Sequence, residues 1–119
     1  MTNAALKPVQ VPDDQQARPV DLAHLARQTH GNRDLEREVL HLFLIQSERL
    51  MKRLMADDGP RLELAHALVG SALGIGAWAV AKAAGRVETA AREAREDDGA
   101  LPELADAVAT ANSYIRSLI

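Results

Sequence analysis

Three long stretches of alanine and leucine, each broken by a short acidic or glycine-containing turn, constrain this chain more than any other feature. In the last of them Leu101, Leu104, Ala105, Val108, Ala111, Ile115 and Leu118 recur at three- and four-residue steps, the period of one face of an α-helix. Asp57-Asp58-Gly59-Pro60 and Glu96-Asp97-Asp98-Gly99 punctuate the pattern. Phe43, Trp78 and Tyr114 are the only aromatics, too few for a sheet built on aromatic and β-branched pairs. The expected fold is all-α. Turns of a few residues between long helices imply antiparallel neighbours, hence an up-down-up-down four-helix bundle with a short additional N-terminal helix.

The organisation follows from the same signals. Residues 1–19 carry three of the five prolines and no sustained period, which reads as a flexible N-terminal tail. Residues 20–119 form the helical domain. Asp21 is placed to cap a short helix through Leu22, Leu25 and Ala26 that ends at Gly31 and lies across the bundle as a lid. The second helix is expected from about Asn32 to Ala56, with Leu35, Val39, Leu42, Phe43, Leu50 and Leu54 as its apolar positions. Pro60 suits the first residue of the third, which runs to about Leu73 before a break at Gly74 to Gly76. Ala77 to Ala94 resume the period through Ala81, Ala84, Val87 and Ala91.

Several classes of function fall away on composition. Without cysteine there is no disulfide, thiolate metal site or cysteine nucleophile. A formal charge of -3 with interspersed signs gives no basic field for nucleic acid, although Ala79 to Val87 superficially resembles the start of a helix-turn-helix; Glu88, Glu93 and Glu96 oppose that reading. No apolar run reaches the length of a membrane span and no secretory leader is evident, so a cytoplasmic location is expected. Ser71 has no base or triad partner, and is expected to bond its preceding turn. His24, His30 and His41 read as surface or partly packed residues, and the histidine spacing defines no metal site.

His66 differs. If Leu64, Leu68, Ala72 and Ile75 form the buried stripe of the third helix, the 100° step per residue turns His66 outward, with Leu62, Val69, Gly70 and Leu73 on the same outer face. A titratable nucleophile then stands in a small apolar field beside a glycine.

The segment His66-Ala67-Leu68-Val69-Gly70-Ser71-Ala72 resembles the histidine-containing phosphotransfer (HPt) domain of bacterial two-component phosphorelays, whose pattern is His-x-Leu-Lys-Gly-Ser-Ala on a long helix of a four-helix bundle. The similarity continues through Gly74-Ile75-Gly76-Ala77-Trp78 and Ala83-Ala84 to Glu88. It implies a phosphocarrier in signal transduction rather than a turnover enzyme, with His66 accepting a phosphoryl group from a receiver-domain aspartate and relaying it. Gly70 would keep access to the imidazole open. By ungapped count Glu88 occupies the place of a polar side chain, commonly glutamine, that the family sets near the imidazole, with Arg92 one turn later. Leu62, Glu63, Val69 and Leu73 would meet the partner, a response-regulator receiver and possibly a hybrid histidine kinase. The chain needs no cofactor of its own, the receiver supplying Mg2+, and is expected to be a monomer. Val69 stands where the family has lysine, so the alternative is an HPt-like adaptor that binds a receiver or kinase without phosphotransfer.

Overall fold

The computed structural model describes residues 18–119, and the expected tail lies almost wholly outside them. The described residues are all-helical: α1 (Leu22–Gln28), α2 (Arg33–Met55), α3 (Arg61–Ile75), α4 (Trp78–Arg92) and α5 (Ala100–Leu118). No strand occurs among them. α3 packs on α2 and α4, α5 packs on α4 and α2, and α1 rests on α3.

Local chemistry explains the boundaries. Asn32 caps α2 by accepting from the Leu35 N–H at 3.0 Å, with Asp34 and Glu36 in the first turn and Lys52 and Arg53 in the last, the arrangement the helix dipole favours. Pro60 is the N-cap of α3 rather than its first residue. The break falls later than the sequence suggests. Gly74 stays helical, and α3 ends only at Gly76, whose φ of 78° is left-handed and whose neighbour Ala77 donates back to the Ala72 carbonyl at 2.9 Å. Two residues thus connect α3 to α4.

Gly76 is required twice over. Beyond its backbone conformation, a Cβ there would lie 2.9 Å from the Asp21 Cβ and 3.2 Å from the His24 Cδ2. This is where α1 docks, at the α3–α4 junction and not across the bundle as a lid. The Asp21 N–H donates to the Gly76 carbonyl at 2.9 Å, His24 Nε2 donates to the Leu73 carbonyl at 3.0 Å, and Trp78 Nε1 donates to the Asp21 carboxylate at 3.1 Å. The His24 and Trp78 rings meet edge to face at 4.9 Å.

The core is built from small and branched aliphatics. On α3 Leu64, Leu68, Ala72 and Ile75 are buried as the period requires, together with Ala65. α4 buries Val80, Ala81, Ala83, Ala84, Val87, Ala90 and the carboxylate-bearing Glu88. On α2 the buried line is Leu40, Phe43, Ser47, Leu50, Met51 and Leu54, which corrects the sequence assignment of Leu35 and Leu42: these are 40% and 60% exposed. A polar pair ties α2 to α5, Asn112 Nδ2 donating to Ser47 Oγ at 3.0 Å, while the Ser47 hydroxyl donates to the Leu44 carbonyl. Arg86 of α4 bonds Asp97, at 2.8 Å, and Glu103, clasping the turn into α5.

Asp21 carries the α1 contact. The His24 N–H above all holds its carboxyl below the usual value; partial burial opposes this, and the Trp78 N–H and the charges of Arg27 and His24 add to it. A carboxylate depressed in the folded state stabilises above its unfolded value, and that stability is lost as pH falls through the folded value. Asp21→Ala is expected to cost about 1 to 2 kcal/mol by removing the cap. It should also shift Trp78 emission, and the wild type should show the same shift on acidification below the ordinary carboxylate range. An unchanged unfolding midpoint in urea would show that Asp21 does not hold α1.

Candidate functional site

The site assembles from the outer face of α3 and one inward position of α4. Leu64, Leu68 and Ala72 turn into the core, which leaves His66 on the far side with its side chain 72% exposed. Glu88 follows Val87 and precedes Ala90, both buried, so it sits at the edge of the α4 core face with a side chain only 11% exposed. Close packing of α3 on α4 then brings the two groups together: His66 Nδ1 lies 2.7 Å from Glu88 Oε2.

That contact fixes the imidazole's hydrogen. Burial pushes the Glu88 carboxyl up, but the hydrogen bonds from His66 and Arg92 and the charges behind them outweigh burial and hold it below its usual value. Glu88 is therefore a carboxylate at neutral pH and only accepts, which makes Nδ1 the donor. In the neutral ring Nε2 then carries the lone pair, on the exposed side. Arg92 NH2 donates to the same Oε2 at 2.8 Å, so a guanidinium stands within two hydrogen bonds of the ring.

Gly70, one turn after His66, is exposed, and a Cβ built on it meets no atom within 4 Å. Packing does not require glycine there. The same holds for Gly74. Both line an apolar groove between α3 and α2, walled by Val39, Leu42 and Phe43 and closed at one end by Leu25 of α1. Leu35, Leu42 and Ile45, at 45% exposure for the last, leave α2 with an apolar stripe beside it. Sequence reasoning missed this wall; the surplus of apolar positions on α2 beyond one buried face was the available signal.

The other expected residues fall as follows. Glu63 is exposed, and Leu62 is half-buried. Val69 and Leu73 are half-buried and pack against the core, so they offer less surface than a fully outward pair. Ser71 does not bond its preceding turn. Its hydroxyl donates to Gln46 Oε1 of α2 at 3.1 Å, bridging the groove. Ala79 to Val87 lies inside the uninterrupted α4, with no turn at Gly85, which removes the helix-turn-helix reading. Among the described residues no group of three His, Cys, Asp or Glu side chains is placed to hold a metal, and no helix is long and apolar enough to cross a membrane. No protein-family model matches the chain, nor does any curated protein or solved structure.

The geometry predicts a tautomer. Nitrogen NMR of the neutral His66 ring should show the proton on Nδ1, and Glu88→Ala should move the population toward the Nε2–H form that an unconstrained histidine side chain prefers. A wild-type ring protonated on Nε2 would contradict the assigned hydrogen bond.

Proposed function

We propose that this protein is a histidine phosphotransfer protein of a two-component phosphorelay, with His66 as phosphoacceptor. The observation that carries the reading is an exposed imidazole whose Nδ1–H is held by Glu88, leaving the Nε2 lone pair free one helical turn before Gly70, where an apolar groove begins. The neutral imidazole is a competent nucleophile near pH 7, and the phosphoramidate it forms remains reactive. Positioning and charge neutralisation dominate phosphoryl transfer, and an Mg2+ ion on the receiver would supply the charge on the donor side. On this side Val69 gives no cation where the family has lysine, and Arg92, paired with Glu88, is the arginine that would have to turn toward the phosphoryl oxygens to replace it.

The partner is a receiver domain, seated on the groove so that its aspartyl phosphate meets Nε2. Leu35, Leu42 and Ile45 favour an apolar helix as the contacting element, and the exposed parts of Leu62, Glu63, Val69 and Leu73 on α3 are the further contacts of this reading. For α2 to α5 we infer the up-down-up-down bundle of this family, supported by the turns between them and the pairwise packing of neighbours. The protein acts as a cytoplasmic monomer in this reading.

Incubation with a phosphorylated receiver should place acid-labile phosphate on the wild type and none on His66→Gln. Labelling of the variant would remove His66 as the acceptor, and receiver binding without any labelling would favour the adaptor reading that Val69 suggests. Gly70→Gln should keep the helical circular dichroism, gaining up to about 1 kcal/mol of helix propensity, yet lose transfer because the new side chain enters the open space beside the ring. Wild-type transfer in that variant would show that the space is not an approach route.

A further inference from the structure

We propose that the groove between α2 and α5 binds a small, uncharged aromatic molecule carrying one N–H or O–H donor, which it gives to Oδ1 of Asn112. The inference is independent of the role of His66, since α2 and α5 alone line this groove.

The groove has a volume of about 370 Å³, within the range of small-molecule sites, and it runs between two helices of the kind that often form them. α2 supplies one wall with Met51, Lys52 and Met55, and α5 the other with Ala105, Val108 and Ala109. The two alanines leave the space. A longer side chain at either position would fill it.

Asn112 lies at one end of the groove, and its amide has a single orientation. The buried Ser47 hydroxyl gives its proton to the Leu44 carbonyl, so its oxygen can only accept, and the amide must turn Nδ2 toward it at 3.0 Å. That leaves Oδ1 as the arm available to the groove. It has no donor, although Asn112 is only 2% exposed, and it is the one buried side-chain polar atom among the described residues in that condition. An unmade hydrogen bond there is costly, and a ligand that brings a donor recovers the cost.

The rest of the lining selects the ligand. Met51 and the exposed Met55 present thioethers, which favour aromatic rings, and exposed Lys52 places an ammonium at the rim, where it can lie over a π face. A carboxylate only accepts, so an anionic head would leave Oδ1 unsatisfied. Arg116 bonds Glu48 from the opposite wall at the Asn112 end, so a long partner helix laid in the groove would have to break that pair, while a compact molecule stops short of it.

The test titrates the isotope-labelled full chain with indole and follows the amides by NMR. Indole should shift the Asn112 side-chain amide and the backbone amides of Met55 and Ala109 in one saturable transition. N-methylindole, which is more apolar but has no donor, should bind about three- to tenfold more weakly. Ala109→Phe, at an exposed position, should keep the native circular dichroism and abolish the shifts by filling the groove. Equal affinity for the two indoles, or tighter binding of the methylated one, overturns the proposal, because apolar burial alone would then account for binding. Shifts confined to Gly70, Ser71 and Gly74, which line the other groove, overturn it too. So do shifts that survive Ala109→Phe, the absence of any saturable shift, or tighter binding of octanoate than of indole. Phosphoryl transfer at His66 enters none of these results, so the two readings stand or fall separately.

Discussion

The α3–α4 hairpin turns on Gly76. Its left-handed backbone reverses the chain within two residues, and its missing side chain admits Asp21 and His24. Because the reversal is so short, α3 and α4 are held side by side from the last turn of the one and the first turn of the other, and small buried residues such as Ala65, Ala72, Ala81 and Ala84 let the backbones close up. Glu88 reaches His66 only on those terms. The same glycine seats α1, whose Leu25 closes one end of the groove. One backbone conformation therefore serves the imidazole's hydrogen bond and the apolar surface beside it.

Shared acceptance by Glu88 Oε2 gives the site its economy. Two donors from two helices converge on one oxygen, so the imidazole's orientation and the guanidinium's position depend on each other. Removing any member changes the electrostatics of the other two, and the effects of substitutions at His66, Glu88 and Arg92 are not additive.

Much of this was legible in the residues. Leu64, Leu68, Ala72 and Ile75 form a single unambiguous stripe, and a stripe defines its opposite face, so His66 had to point outward. Asp21 announced the start of α1 through capping chemistry, and Asn32 and the turn at Asp57 to Pro60 marked where α2 and α3 begin to within a residue, although Pro60 proved to be the N-cap and not the first helical residue. α2 was harder because apolar residues occupy more than one of its faces. Leu35, Val39 and Leu42 keep helical spacing as well as Leu40, Phe43, Leu50 and Leu54 do, and the line that is buried passes through a serine that periodicity discounts. That serine finds its partner out of reach of local spacing, in Asn112 sixty-five residues away. Gly74 misled for a related reason: intrinsic propensity marks it as a breaker, while the packing of Ala72 and Ile75 on either side carries the helix through it. Glu88 could be placed by counting along the family pattern, but not that its charge would be buried or that Arg92 would share its oxygen.

The two glycines inside α3 have a consequence for how the protein comes to exist. With Gly70 and Gly74 in a fifteen-residue helix, α3 forgoes roughly 2 kcal/mol of intrinsic helicity relative to alanine at both positions. Such a segment does not hold its shape in isolation. It borrows order from α4, across the most extensive helix contact among the described residues. His66 is thus mounted on a helix whose shape depends on its neighbours, α4 beneath its carboxylate contact and α2 across the groove. A half-folded chain would display a histidine without its carboxylate partner, so the His66–Glu88 hydrogen bond is itself a report that α3 and α4 have packed.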